Sequence, residues 1–223
     1  MPSSTARDGG AAVLGVLLLA PITNLAINHA LDHSWHLQSR PQISVGPGHW
    51  LFYLANDLVA LIVVLAALWI VQRRRRPGPG ARRLLELLGA VTTLQSLLNA
   101  ALVLIAMSAL QLGSMALLLI GTGLYTVLNS IALFWYWCLD HDQFGSGLAG
   151  SCGRRGGVVF PEGEAGGRFF DYLYFTVLSS NTLGPPENHQ LLGFRFKLLQ
   201  VLQSSLMLAL VVIVVARAIN TLG

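Results

Sequence analysis

At 223 residues, with 54% hydrophobic and 11% charged side chains, the chain carries less than half the roughly 25% charge usual in a soluble globular domain. Together with a mean hydropathy of +0.62, this excludes a disordered tail, a disulfide-stapled secreted scaffold and a water-soluble enzyme. The net charge of +4 therefore speaks first of membrane sidedness and only then of partners.

The apolar residues fall into five runs, 11–29, 50–71, 84–106, 115–138 and 198–216. Each is long enough as a helix to cross about 30 Å of hydrocarbon at about 1.5 Å per residue. The expected fold is all-α: a polytopic transmembrane helical bundle of five spans plus one shorter segment. The first run reads as a retained helix and not a cleavable signal, because its apolar pattern continues past Pro21 through Ile22, Leu25 and Ile27. Spans one to four make a membrane domain over 1–138, and a glycine-rich segment over 139–168 reads as a flexible linker. The remainder, 169–223, holds the short segment and the last span.

Arginine supplies 13 of the 14 basic side chains. Six of these (Arg73, Arg74, Arg75, Arg76, Arg82 and Arg83) sit in the short loop between the second and third runs, which places that loop in the cytoplasm of a cell-membrane protein. The N-terminus is then cytoplasmic, residues 29–49 lie outside, and the linker returns inside. Anionic lipid headgroups suit the arginine run, so the expected partner is the lipid bilayer, and so short a loop is no nucleic-acid site. Cys138 and Cys152 are too few for a disulfide framework or a cysteine metal site.

The short segment, 169–183, reads FFDYLYFTVLSSNTL and is stopped by Gly184, Pro185 and Pro186. As a helix it would span about 23 Å, too little to cross. Two placements stand: a re-entrant half-helix, or a helix lying in the interface, since aromatic side chains suit the headgroup region in both.

Several ionisable and polar residues interrupt the spans. Asp57, beside Asn56 in the second run, is costly in hydrocarbon and is expected to face the bundle interior, either as a cation or proton site or as a hydrogen-bonded lock between helices. Asn24 and Asn28, then Thr92, Gln95, Ser96 and Asn99, then Thr122, Tyr125, Thr126 and Asn129, and finally Gln200, Gln203 and Ser204 follow helical spacing. Such stripes serve interhelical hydrogen bonding or line a hydrated pathway. At the outer end of the first run, His29, Asp32, His33 and His36 lie at i, i+3, i+4 and i+7 and share one face if the helix persists. That set can ligate Zn or Cu or titrate as a pH sensor, and the other reading is a solvated loop. The histidine spacing resembles one histidine box of membrane di-iron desaturases, whose further boxes are absent here. No nucleophile elbow, phosphate loop or dinucleotide fingerprint is present, so no enzymatic activity and no other cofactor is expected.

From Tyr174, the sequence YFTVLSSNTLGPPE resembles the pore helix and selectivity filter of potassium-channel-like pore-loop proteins, which run roughly YFSFVTLTTVGYGD. In that register Tyr174 and Phe175 match the aromatic pair, Ser179 and Asn181 fall on pore-helix threonines, and Thr182, Gly184 and Glu187 match the filter. The resemblance implies an ion-channel-like or transport protein, a monovalent cation as its ion, and a homo-oligomer, a tetramer in that family. Pro185 and Pro186 stand where the filter has its tyrosine and second glycine. A backbone fixed near φ −65° cannot copy that carbonyl ladder, so the implied pore is not potassium-selective. The C-terminal half also resembles an uncharacterised family of bacterial multi-pass membrane proteins. The alternative function is a non-conducting membrane protein that uses the outer histidine cluster for metal or pH sensing.

Overall fold

The computed structural model describes residues 4–37, 55, 57–66, 79–109, 112–145, 157–161 and 169–222. Among these the chain is helical apart from one two-residue strand pair and short turns. In chain order the elements are α1 (Ser4–Leu37), α2 (Asp57–Ala66), α3 (Pro79–Ala109), α4 (Ser114–Gly145), β1 (Val158–Val159), α5 (Phe169–Thr182), β2 (Gln190–Leu191) and α6 (Phe194–Leu222).

Three stretches are long and apolar enough to cross a membrane: Arg83–Met107, Met115–Asp140 and Phe194–Asn220. The runs expected over 11–29 and 50–71 are represented by the shorter apolar helical stretches Gly15–Leu31 and Asp57–Ala66. Boundaries also move. α4 continues past Cys138 to Gly145, because nothing in CLDHDQF breaks a helix, and α6 begins four residues before Leu198.

The packing divides into two compact units. One comprises residues 17–127 and 209–223. Its buried positions on α1 (Leu17, Ala20, Asn24, Ile27, Asn28 and Leu31) recur at three and four residues, the signature of one inward face. The expected polar stripes meet here. Asn24 Nδ2 donates to Ser96 Oγ at 2.8 Å, and Asn99 Nδ2 donates to Asn24 Oδ1 at 3.1 Å, tying α1 to α3 through buried side chains. Such pairs are worth under about 1 kcal/mol on average in a membrane but fix register, because any sliding orphans an amide. At the end of α3, Arg217 Nε of α6 donates to the carbonyl of Met107 at 2.9 Å, satisfying one of the acceptors a helix C-terminus leaves open.

The other unit comprises residues 1–16 and 128–208. Its core is formed by Ala132, Leu133 and Tyr136 of α4, Val158 and Phe160 on and after β1, Tyr172 and Phe175 of α5, Leu191 of β2 and Phe196 of α6. Edge-to-face ring pairs hold it: Tyr136 with Phe175 at 5.0 Å, Phe160 with Tyr172 at 5.1 Å, and Trp137 with Tyr172 at 5.5 Å. This is the geometry the aromatic quadrupole prefers. The segment expected to be a flexible linker is thus fixed over 157–160, where Gly157, Val158 and Phe160 are buried. A carboxylate in α4 holds Gly157 and Val158.

Candidate functional site

Asp140 completes a helical stripe with Asn129, Leu133 and Tyr136, and its side chain is fully buried. All its partners are donors. The amides of Gly157 and Val158 donate to Oδ1, the latter at 3.3 Å, and the Tyr172 hydroxyl donates to Oδ2. One carboxylate therefore clamps the end of α4, the start of β1 and the first turn of α5. Gly157 has to be glycine, since a Cβ there would lie 1.9 Å from Cε2 of Phe196. Beyond it, β1 pairs antiparallel with β2, Val158 opposite Leu191 and Val159 opposite Gln190, and Leu192 N–H donates to Gly157 O at 2.8 Å.

From this clamp α5 runs back along α4. Tyr172 meets Asp140, Phe175 meets Tyr136 and, two turns on, Ser180 Oγ lies against Asn129 Oδ1. Asn129 lies about 16 Å of helix before Asp140, in the middle of the Met115–Asp140 stretch. Gln203 of α6 closes the same point. Its Nε2 lies 3.0 Å from the Thr176 carbonyl, 2.6 Å from Ser180 Oγ and 3.3 Å from Asn129 Oδ1. The chain then turns and returns to β2, beside β1 and the Asp140 clamp. The start of α5 and the end of its return segment are thus at one end of α4, with the C-terminal end of α5 beside its middle.

The turn is built from unusual backbone. Leu183 ends α5 at φ 56°, a left-handed conformation that costs a leucine what a glycine would not pay. Thr182 Oγ1 lies 2.8 Å from the Leu178 carbonyl and 2.9 Å from that of Gly184. A β-turn follows, closed by His189 N–H to Pro186 O at 3.0 Å, with Asn188 at φ 63° in the position where glycine or asparagine is favoured. The His189 ring is buried against Phe160 and Phe175, each at 5.7 Å, and its Nδ1 donates to the Glu187 carbonyl at 3.0 Å.

Of the residues singled out by the pore-loop register, Asn181, Thr182 and Glu187 are exposed, Gly184 is half-buried and Ser179 is buried in the packing of α5. Asn99 and Asn129 are buried in polar contacts. Asp57 is exposed at the start of α2, where Ala60 and Val63 form the buried face. Asn56 and the arginines at 73–76 lie outside the described residues. α1 persists through Leu37, so His29, Asp32, His33 and His36 share one helix, and His29 is exposed. Among the described residues no three His, Cys, Asp or Glu side chains come together as a metal site. Asp140, Gly157 and Tyr172 were not legible as a set. The one available signal was Asp140 continuing the Asn129, Leu133 and Tyr136 stripe, had the helix been extended past Cys138.

These features define an α-helical membrane protein in which a half-length helix is pinned against the middle of a longer one. No protein-family model, no curated protein and no solved structure matches the chain.

Proposed function

We propose that this is a five-span protein of the cell membrane with a cytoplasmic N-terminus, in which α5 and its return form a re-entrant loop and copies of the chain assemble around that loop as a cation-conducting pore. One observation carries the reading. α5 reaches the middle of α4 and returns through non-helical backbone at 183–189, with Asn181, Thr182 and Glu187 exposed. Irregular backbone at membrane depth is tolerated only when buried in protein or lining a water-filled cavity, so an exposed tip of this kind requires water and a second copy around it. The side-chain oxygens of Asn181 and Thr182 and the negative charge of Glu187 favour a cation, a monovalent one by the pore-loop resemblance, and Pro185 and Pro186 preclude a potassium-type carbonyl ladder. A tetramer follows from the same resemblance.

The test is cation flux into liposomes holding the purified full-length chain, with the oligomeric state measured alongside. Flux of both Na+ and K+, reduced at least severalfold by Glu187→Gln with the oligomer intact, is expected. A monomer without flux in either orientation sinks the reading. A second reading rests on the continuity of α1 through Leu37, which meets the condition for a metal-binding or pH-sensing face at His29, Asp32, His33 and His36. Zn or Cu retained through purification and lost in His33→Ala would favour it.

A further inference from the structure

Helical hydroxyls in this protein usually bond the carbonyl four residues back. Thr93 does so to Gly89, Thr126 to Thr122, Thr176 to Tyr172, Ser180 to Thr176 and Thr182 to Leu178, at 2.7 to 2.9 Å. Ser179 of α5 and Ser204 of α6 break the habit. Their hydroxyls are buried without a hydrogen-bond partner, as are Nε2 of Gln200 and Oε1 of Gln203. Ser179, Gln200 and Gln203 are each more than nine-tenths buried. Ser179 shares the buried face of α5 with Thr176 and Ser180, and Gln200 and Ser204 lie three before and one after Gln203 on α6, whose Nε2 meets the Thr176 carbonyl, Ser180 Oγ and Asn129 Oδ1.

A lone orphaned buried group is costly, and four on the facing helices α5 and α6 would consume much of the small net stability of a domain. Their chemistry identifies what satisfies them. Gln200 Nε2 can only donate, Gln203 Oε1 can only accept, and the two hydroxyls do either. A cation would satisfy Gln203 and repel the Gln200 amide, and an anion would do the reverse. An amphoteric ligand serves both.

We propose that Ser179, Gln200, Gln203 and Ser204 form a buried water site in the seam between α5 and α6, where ordered water donates to Gln203 Oε1 and accepts from Gln200 Nε2. Buried water of this kind makes about three hydrogen bonds to groups otherwise unsatisfied, and it stiffens the backing of the α5 turn from inside one copy of the chain. The site does not depend on pore formation and exists in a monomer as in an oligomer.

The experiment is thermal unfolding of the full-length protein in detergent, comparing wild type with Ser179→Ala and Ser204→Ala, the mildest truncations available. In a hydrated seam each removes a partner of bound water, and the unfolding temperature falls by about 2–5 °C. In a dry seam each removes an unpaired polar group, so a rise or no change overturns the proposal. Hydroxyl-radical labelling of the wild-type chain gives a readout free of folding defects. Met207, buried one turn beyond Gln203, becomes labelled when water is held nearby, and its full protection at a dose that marks Phe194, exposed at the start of α6, overturns the site. A saturable rise in unfolding temperature with NaCl over choline chloride, lost in Gln203→Met, would make the occupant a cation and overturn the proposal equally.

Discussion

Replacing Asp140 tests how α5 is held. In the wild type its carboxylate receives three donors, two backbone amides and a phenol, in a fully buried position. Asp140→Ala strands all three. Each orphaned donor costs about 1–3 kcal/mol, but relaxation makes such losses less than additive, and breaking a buried charged network costs about 3–5 kcal/mol in total. Asp140→Asn keeps an acceptor for the Gly157 and Val158 amides but loses the charge and presents an amide donor to the Tyr172 hydroxyl, for about 1–3 kcal/mol. Tyr172→Phe removes one donor and costs about as much. In the double variant Asp140→Ala with Tyr172→Phe, the phenol is no longer orphaned, so the second change adds little to the first. Thermal unfolding in detergent ranks the four proteins, and amide hydrogen exchange locates the effect. Leu192 N–H, which pairs with Gly157 O, should exchange at least about 100-fold faster in Asp140→Ala, since about 1.4 kcal/mol is a factor of ten. If Asp140→Ala unfolds at the wild-type temperature and Leu192 stays protected, the clamp is not what holds α5 against α4.

Three further substitutions probe other levels of the structure. Gly157→Ala forces a methyl group into the Phe196 ring and should cost about 2–3 kcal/mol, with a deficit smaller than the sum when combined with Phe196→Ala, as a double-mutant cycle by thermal unfolding will reveal. Leu183→Gly should be neutral or stabilising by up to about 1 kcal/mol, because relief of the left-handed leucine outweighs the added chain entropy at a side chain that is half exposed. A clear drop in unfolding temperature would contradict this. Asn24→Ala removes the bridge between Ser96 and Asn99 and should lower stability by about 1–2 kcal/mol, more than Thr122→Ala at an exposed position of the α4 stripe.

The two polar clusters differ in what they join. Asn24, Ser96 and Asn99 bind α1 to α3, two helices whose facing stripes were visible as spacings of three and four. Asn129, Ser180 and Gln203 bind α4, α5 and α6, and here a residue from each of three separate stretches meets at one point. A pattern within one helix tells which face is polar. It does not tell which other helix that face meets, and still less how far along.

The hydrophobic runs alone determined that the chain is helical and membrane-bound, because segments of this length and polarity can satisfy their backbone in lipid only as helices. Length also determined that α5 is too short to cross, and spacing determined which polar residues share a helix face, since repeating apolar and polar positions encode a face directly. Tertiary structure decided the rest. Which helix residues 169–183 pack against depends on the contacts of Asp140 with Gly157 and Tyr172, 17 and 32 residues further along the chain, positions that carry no shared period. The glycine-rich segment looked permissive because glycine usually is. Gly157 is instead required by the ring of Phe196, an atom-scale coincidence of two distant positions that no local pattern records.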